Sequence, residues 1–186
     1  MDKNDELKRL CETTAAEEQI YRGVILNVNK DTVILPNGKP GCREYIRHVG
    51  AVGVIPVNEK NEVVVERQFR YPFHAVITEI PAGKLDGKGE DRLAAAKREL
   101  REETGITAES WVPLGEYYPT PAYTDEVITL YMARELSFGE RELDEDEFLD
   151  YKLVPLAALE EDVMNGLITD GKTQVAVLKA AKILGI

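Results

Sequence analysis

The chain contains few of the residues on which several common kinds of catalysis depend. Its 186 residues include only two cysteines, two histidines and one tryptophan. Cys11 and Cys42 are too few for a disulfide framework and lack the paired spacing of a zinc site. The two serines, Ser110 and Ser137, do not lie in a GxSxG sequence or a comparable setting. These shortages disfavour nucleophilic and zinc chemistry.

Positive charge and long apolar runs are also scarce. The 23 lysines and arginines are outnumbered by 34 acidic residues, giving a formal net charge of −11. This balance argues against nonspecific binding to nucleic acid or to an anionic membrane. No run reaches the roughly 18 apolar residues of a membrane span, and the start, MDKNDELKRL, lacks the apolar segment of a secretory signal. We therefore expect a cytoplasmic protein.

The N-terminal part is predicted to be a separate β unit. Residues 5–19 are charged and weakly periodic, which predicts a short helix or an arm. The β-branched runs that follow predict strands at 21–28 and 32–35, joined as a hairpin around NKD, and a third strand at 43–48. We assign residues 1–48 to this arm and β unit.

Residues 49–186 are predicted to form the main domain, with strands interleaved with helices. The runs AVGVIPV and EVVVERQF flank NEKN as a second hairpin. Further strands are expected at 76–80, 111–118, 127–134 and 148–154, and helices at 90–104, about 155–165 and 172–184. This alternation predicts an α/β fold with a mixed sheet covered on both faces.

Three glutamates, Glu99, Glu102 and Glu103, recur in the segment 83–106, GKLDGKGEDRLAAAKRELREETGI. Their spacing of three and four residues puts neighbours on one helix face, where like charges repel. A divalent cation among them is the obvious remedy. An exposed acidic helix, partly neutralised by its own arginines, fits the spacing as well.

The position of these glutamates relative to the core favours a cleft. At about 100° per residue, Leu93, Ala96, Leu100 and Thr104 form the core-facing stripe. Glu103 falls beside Ala96, at the border of that stripe. Solvated charges usually lie opposite the core, so a carboxylate at its border points to a cleft.

The order of residue types around the glutamates resembles the box of the Nudix family, Gx5Ex7REUxEExGU. Glu90, seven residues, REL, one residue, EE, one residue and GI match its second half. The first half departs from the pattern, because six residues rather than five separate Gly83 from Glu90. The extra residue lies in a glycine-rich turn, where an insertion is easily tolerated.

This resemblance implies a Nudix-type α/β/α sandwich with a mixed sheet, in addition to the N-terminal β unit. It implies that Glu99, Glu102 and Glu103 hold Mg²⁺ or Mn²⁺, that Glu102 and Glu103 serve catalysis, and that the backbone carbonyl of Ala82 is a further metal ligand. Hard divalent cations prefer carboxylate oxygens and bridge to substrate phosphates. For Glu90 two roles remain open, metal ligation and a favourable electrostatic interaction with the start of the helix.

Segments outside the box, among them EIPAGKL, TPAYTDE and RQFRYP, extend the resemblance over most of residues 17–175 and look like the ADP-ribose pyrophosphatase branch. That branch has a proline where Pro121 lies, although a rigid turn explains this residue equally well. It also implies that Arg70, and less directly Arg43, bind the substrate, since guanidinium matches phosphate oxygens; a surface arginine at a strand end is the alternative. The branch further implies a homodimer in which residues 1–48 are exchanged and wall the partner's adenosine site.

A catalytic base is expected in the acidic segment 142–151, ELDEDEFLDY. The resemblance implies a glutamate near the attacking water in this loop, and alignment on the following strand selects Glu147, with Glu145 next. A carboxylate there accepts a proton only if its neighbours poise it. Without the resemblance, a solvated acidic loop is the simpler interpretation.

A phosphate-loop pattern, GxxxxGK[ST], is matched by GLITDGKT at residues 166–173. That motif requires a preceding strand, whereas the preceding PLAALEEDVMN is typical of a helix. We therefore predict a helix-to-helix connection here.

Together, these features predict a metal-dependent hydrolase that cleaves the diphosphate bond of a nucleoside diphosphate sugar. The favoured substrate is ADP-ribose, which would yield AMP and ribose 5-phosphate. One alternative is a Nudix hydrolase for another nucleotide sugar or an oxidised nucleoside diphosphate. An alternative of a different class is a module that senses ADP-ribose or a related nucleotide without hydrolysing it. The substrate is a small nucleotide in each case.

Overall fold

The computed structural model describes residues 7–143 and 148–186. The chain divides into two compact units. One consists of residues 7–48 together with Thr120–Glu126, and the other of Val49–Pro119 together with Val127–Ile186. No helix among the described residues combines the length and the hydropathy needed to cross a bilayer.

The first unit is built around one long central strand. Its four strands are β1 (Thr13–Ala16), β2 (Gln19–Arg22), β3 (Asn27–Ile34) and β4 (Pro40–Ile46). Strand β3 pairs antiparallel with each of the other three. The prediction of a helix or arm over residues 5–19 is therefore wrong for β1, whose Thr13 lies opposite Ile34. Pairing with β3 outweighs the weak helical periodicity of that segment.

The predicted hairpin around NKD is also wrong, because Asn29, Lys30 and Asp31 lie inside β3. Asn29 and Asp31 are buried, and both have partners. The Tyr45 hydroxyl donates to Asp31 Oδ2 at 2.9 Å, and Asn29 Nδ2 donates to the Asn27 carbonyl at 3.1 Å. Residues that usually mark a turn are accommodated in a strand when their side chains are hydrogen-bonded in this way.

The described residues of the second unit form two sheets, three α-helices and a short 3-10 helix at Tyr71–Phe73. Its strands are β5 (Ala51–Pro56), β6 (Glu62–Arg70), β7 (Ala75–Glu79), β8 (Ala82–Lys84), β9 (Ile106–Tyr117), β10 (Ile128–Phe138) and β11 (Leu149–Pro155), and its helices are α1 (Arg92–Thr104), α2 (Leu156–Met164) and α3 (Gly171–Leu184). One sheet has the order β8-β5-β10-β9 and the other β11-β6-β7. The first sheet is mixed, since β5 and β10 run parallel and the other pairs antiparallel.

The predicted hairpin between β5 and β6 exists only at its turn. Val57 and Val63 form an isolated antiparallel bridge, and Asn58 N donates to the Glu62 carbonyl at 3.0 Å. Beyond this point the two strands enter different sheets. A short connection between two apolar runs therefore predicts a sharp turn but does not establish which strands pair.

Strand β5 is buried on both faces because helices cover both sides of its sheet. Ala51 and Ile55 pack in a cluster with α2 and α3, whereas Val52 and Val54 pack with α1. A strand enclosed in this way is a continuous apolar run, as AVGVIPV is. The structure confirms the predicted α/β sandwich with a mixed sheet.

Helix α1 begins and ends close to the predicted residues. Asp91 is the N-cap, accepting from Ala94 N at 2.8 Å, and Gly105 closes the helix with φ of 72°. The left-handed conformation suits glycine, which has no Cβ to clash. Ala96, Leu100 and Thr104 are buried as predicted, but Leu93 is only half-buried and Ala95 is buried instead.

Candidate active site

Helix α1 places its glutamates at the border of the core. Glu99 and Glu103 are only 9% and 5% exposed, whereas the side chain of Glu102 retains 31% of its exposure. A buried carboxylate is costly unless charged or polar groups compensate it. The carboxylates of α1 are thus mostly buried and do not form a fully solvated helix face.

Arg98 is the cation at the centre of this group. Its Nη1 donates to Glu99 Oε1 at 2.8 Å and to Glu102 Oε2 at 3.2 Å, and its Nη2 donates to Glu90 Oε1 at 3.3 Å. Burial lowers the pKa of Arg98, but these carboxylates outweigh burial, so the pKa lies above its ordinary value. Arg101 Nη2 also lies 3.8 Å from Glu102 Oε1, so two guanidinium groups serve these three carboxylates, and negative charge remains in excess.

Strand β8 packs directly against two of the α1 carboxylates. The backbone N–H of Ala82 donates to Glu103 Oε2 at 3.0 Å. A Cβ added to Gly83 would lie only 2.0 to 2.2 Å from the carboxylate atoms of Glu99. Gly83 therefore makes room for Glu99, and this role does not depend on the number of residues between Gly83 and Glu90.

Glu90 lies just before α1 and organises the turn that leads into it. Its Oε2 accepts from Asp86 N at 2.7 Å, and its Oε1 accepts from Arg98. Asp91, not Glu90, supplies the side-chain cap of the helix. The glycine-rich turn with its extra residue is thus connected to the glutamate cluster through Glu90 and Arg98.

The donor groups on α1 fit a hard divalent cation. Among residues 7–143 and 148–186, no group of three or more Asp, Glu, His or Cys side chains is already arranged to enclose an ion. The available donors are nevertheless carboxylate oxygens, which Mg²⁺ and Mn²⁺ prefer. Their excess of negative charge over Arg98 and Arg101 suits the same ions.

Arg70 lies in a second group of charges, at the wall of a cavity. Its Nε and Nη2 donate to the two carboxylate oxygens of Glu79 at 2.7 and 2.8 Å. Lys172 donates to the same carboxylate and also lies 3.2 Å from Asp170 Oδ1. Glu79 and Lys172 are buried, whereas the side chain of Arg70 is 41% exposed.

The pKa values in this second group follow from its pairing. The hydrogen bond to Glu79 raises the pKa of Arg70, and burial opposes this only in part. Burial raises the pKa of Glu79, but the bonds from Arg70 and Lys172 outweigh burial and hold it below its ordinary value. Glu79 is therefore a carboxylate at neutral pH.

The cavity that this group borders has a volume of about 760 Å³ and mostly apolar walls. Its lining consists of Arg70, Pro72, Phe73, Ala75, Val76, Ile77, Glu79, Tyr117, Pro119, Ile128, Thr169, Asp170, Gly171 and Lys172. Apolar and aromatic walls with a few convergent polar groups are typical of a small-molecule site. Arg70 is the one predicted substrate-binding residue in this wall.

The remaining predicted site residues are found elsewhere or are not described. Arg43 belongs to the first unit, where it pairs with Glu12 and its Nη1 donates to the Cys42 carbonyl at 2.8 Å. Pro121 also belongs to that unit, whereas Pro119 lines the cavity of the second. Glu147 and Glu145, the candidates for the base, lie outside the described residues.

The segment GLITDGKT connects two helices, as predicted. Helix α2 ends at Met164, and α3 begins at Gly171 with Asp170 as its N-cap. Lys172 points to Glu79 instead of serving a phosphate loop. Sequence reasoning missed both Lys172 and Glu79 as parts of a site, because 93 residues separate them and no local spacing connects them.

Comparison with known proteins agrees with this geometry. Residues 47–173 match the family model described as NUDIX domain, and residues 12–46 match the nucleoside diphosphate sugar hydrolase N-terminal domain. The fold is similar to that of a solved structure described as ADP compounds hydrolase. That comparison has a TM-score of 0.83 and 23% sequence identity, and it covers 94% of each chain.

Two similar relatives come from bacilli. An ADP-ribose pyrophosphatase of Bacillus subtilis (strain 168) is 42% identical over 173 residues, which are 92% of this chain and 93% of that protein. A methanol dehydrogenase activator of Bacillus methanolicus is 43% identical over 168 residues, or 89% of this chain and 90% of that protein. With its NUDIX domain match and its two-sided α/β fold, the chain belongs to the Nudix hydrolase family.

Proposed function

We propose that the protein hydrolyses the diphosphate bond of ADP-ribose and releases AMP and ribose 5-phosphate. The observation that carries this proposal is the acid-rich face of α1, where two arginines serve three carboxylates and Gly83 leaves room for the carboxylate of Glu99. A surplus of carboxylate oxygens suits divalent ions that bind a diphosphate. The ADP-ribose pyrophosphatases among the relatives support the choice of substrate.

Glu99, Glu102 and Glu103 would hold Mg²⁺ or Mn²⁺ in this proposal, with the Ala82 carbonyl as a further ligand. A divalent ion bound there supplies charge neutralisation of the phosphoryl oxygens and a lowered pKa of the attacking water. Glu147 would accept the proton of that water as its oxygen bonds to phosphorus and the bond to the leaving phosphate oxygen breaks.

Arg70 would bind the substrate diphosphate at the cavity wall. Its Nε and Nη2 are occupied by Glu79, and its Nη1 makes no hydrogen bond within residues 7–143 and 148–186. That nitrogen is thus available as a donor to an anion, the role for which guanidinium is suited. Pro121 and Arg43 are the other substrate-binding residues that we propose.

We further propose that the protein is a homodimer in which the first unit is exchanged between protomers. A run of apolar side chains in that unit supports this arrangement: Val24, Ile25 and Leu26 are 102%, 60% and 47% exposed. Contiguous exposed apolar residues are typical of an interaction surface. Sedimentation of the wild-type protein and of a Val24→Asp, Ile25→Asp variant tests it, because only the variant should be monomeric.

Product analysis in ¹⁸O-labelled water tests the proposed reaction. A panel of nucleoside diphosphate derivatives is incubated with the protein and Mg²⁺, and the products are analysed by mass spectrometry. We expect AMP and ribose 5-phosphate from ADP-ribose, with the label in one of the two, which identifies the attacked phosphorus. Faster hydrolysis of another panel member would identify that compound as the preferred substrate. Hydrolysis of none of them would favour the sensing module.

A second candidate function is suggested by the Bacillus methanolicus relative, which is named a methanol dehydrogenase activator. Because its identity and coverage are close to those of the pyrophosphatase relative, we propose as an alternative that this chain activates a methanol dehydrogenase. Adding wild-type protein or Glu102→Gln to such a dehydrogenase tests this. Activation by the wild type alone would make it a consequence of hydrolysis, and activation by neither would remove this candidate.

A further inference from the structure

Lys172 is a buried lysine that the proposed reaction does not use. It is 8% exposed and lies in the first turn of α3. Its ammonium group donates to Glu79 Oε2 and lies 3.2 Å from Asp170 Oδ1. A lysine is rarely buried unless it is paired, so its place here depends on these two carboxylates.

Glu79 transmits the position of Lys172 to Arg70. One carboxylate oxygen of Glu79 accepts from Arg70 Nε, and the other accepts from both Arg70 Nη2 and Lys172. With Lys172 bonded to one oxygen, rotation of the carboxylate would break that bond. The bidentate bond in turn fixes the plane of the Arg70 guanidinium.

The start of α3 is itself fastened to the end of β7. Thr173 Oγ1 donates to Asp170 Oδ2 at 2.5 Å and accepts from Ile80 N at 2.9 Å. Lys172 and Thr173 therefore bind two consecutive residues, Glu79 and Ile80. This arrangement gives Lys172 a fixed base from which to orient the Glu79 carboxylate.

We propose that Lys172 is a positioning residue for substrate binding, which orients Arg70 through Glu79. The ligand it serves is the anionic diphosphate, so this inference rests on the proposed function. The lysine of the phosphate-loop-like GLITDGKT therefore affects diphosphate binding indirectly. It orients the Glu79 carboxylate, which orients Arg70, and it does not itself contact the phosphate.

Removal of the ammonium group tests the proposal through the split between KM and kcat. Lys172→Met should raise the KM for ADP-ribose by about tenfold and change kcat by less than about threefold. The reason is that the lost interaction stabilises the bound substrate and the transition state equally. Lys172→Arg keeps the charge and the donor and should recover most of the affinity. Lys179→Met is the matched control, since Lys179 is also in α3 but donates to the Leu114 carbonyl; its KM should equal that of the wild type.

Glu79→Gln separates positioning from general electrostatics. This change makes the cavity wall more positive by one charge, so a purely electrostatic role of the wall would lower the KM for an anion. A positioning role predicts a higher KM, because the side-chain amide of glutamine has one acceptor oxygen and cannot accept both hydrogen bonds from Arg70 in the same geometry. A KM at or below the wild-type value in Glu79→Gln would overturn the proposal, and this variant decides the matter if Lys172→Met does not fold.

A double-mutant cycle with Arg70→Ala completes the test. If Lys172 acts through Arg70, then Lys172→Met should change KM by less than about twofold once Arg70 is removed. An equal effect in both backgrounds would also overturn the proposal. Turnover of ADP-ribose by the wild type is measured first: its absence rejects the proposed function, whereas turnover with an unaltered KM in Lys172→Met rejects only the inference.

Discussion

Two groups of charges in the second unit differ in how well they balance. On α1, Arg98 donates to Glu90, Glu99 and Glu102, and Arg101 Nη2 lies 3.8 Å from Glu102 Oε1. At the cavity wall, two cations, Arg70 and Lys172, meet two carboxylates, Glu79 and Asp170. The first group has surplus negative charge, and the second is neutral as it stands.

This difference in charge balance indicates which group requires a bound cation to neutralise it. Clustered carboxylates repel one another, and the repulsion is strongest where water is scarce. A divalent ion would relieve it on α1, whereas the balanced network needs no ion and can fix the orientation of Arg70. Our proposal therefore places the chemistry on α1 and substrate orientation at the cavity wall.

The largest predicted effect comes from removing one carboxylate of α1. Glu102→Gln should lower kcat by about 10³-fold, because the loss of metal charge stabilisation is worth several kcal/mol. The fold should persist, as judged by circular dichroism, since the side chain of Glu102 is 31% exposed. Glu109→Gln, at an exposed glutamate of β9, is the control, and full activity in Glu102→Gln would contradict the metal assignment.

A smaller loss is expected when the space beside Glu99 is filled. In Gly83→Ala the new Cβ would lie 2.0 to 2.2 Å from the Glu99 carboxylate, so that carboxylate must move. Because a flexible side-chain end can move at little cost in stability, we expect kcat to fall by about 10²-fold while the free energy of unfolding changes by less than about 1 kcal/mol. Gly87→Ala, whose Cβ meets nothing within 4 Å, should leave both quantities unchanged. Equal activity of the two variants would show that Glu99 does not need its observed position.

Disrupting the charge-balanced group at the cavity wall should lower the free energy of unfolding. Glu79→Gln should lower the free energy of unfolding at neutral pH by about 2 to 3 kcal/mol, since it breaks a buried ionic network. The pKa of Glu79 is depressed in the folded protein, so its contribution is complete above the unfolded value of about 4.3 and disappears as the pH falls through the folded value. Urea unfolding of both proteins between pH 3 and pH 7 measures this, and a difference that does not shrink on acidification would contradict the pairing.

Local patterns in the sequence predict the second unit well. The sequence predicts the helix that carries the glutamates at 90–104, close to its observed range Arg92–Thr104, because its cap, apolar stripe and glycine stop are all local signals. The partners of strands are not local. The NKD tripeptide lies within β3, and the expected hairpin of β5 and β6 divides between two sheets.

The same distinction applies to the candidate site. Glu99, Glu102 and Glu103 are recognisable because they occur within one helix. Arg70 is recognisable only by resemblance, and its partners Glu79 and Lys172 come from β7 and α3. No spacing in the chain indicates that a lysine in a phosphate-loop-like segment pairs with a glutamate 93 residues away; tertiary packing alone brings them together.

The central claim, that the acidic face of α1 is a divalent-metal site, is tested most directly without any substrate. Mn²⁺ is titrated into wild-type protein, Glu102→Gln and Glu109→Gln, and the free ion is measured by electron paramagnetic resonance. We predict that the wild type and Glu109→Gln remove Mn²⁺ from solution equally and that Glu102→Gln binds it at least about tenfold more weakly. Equal binding by all three proteins would contradict the claim.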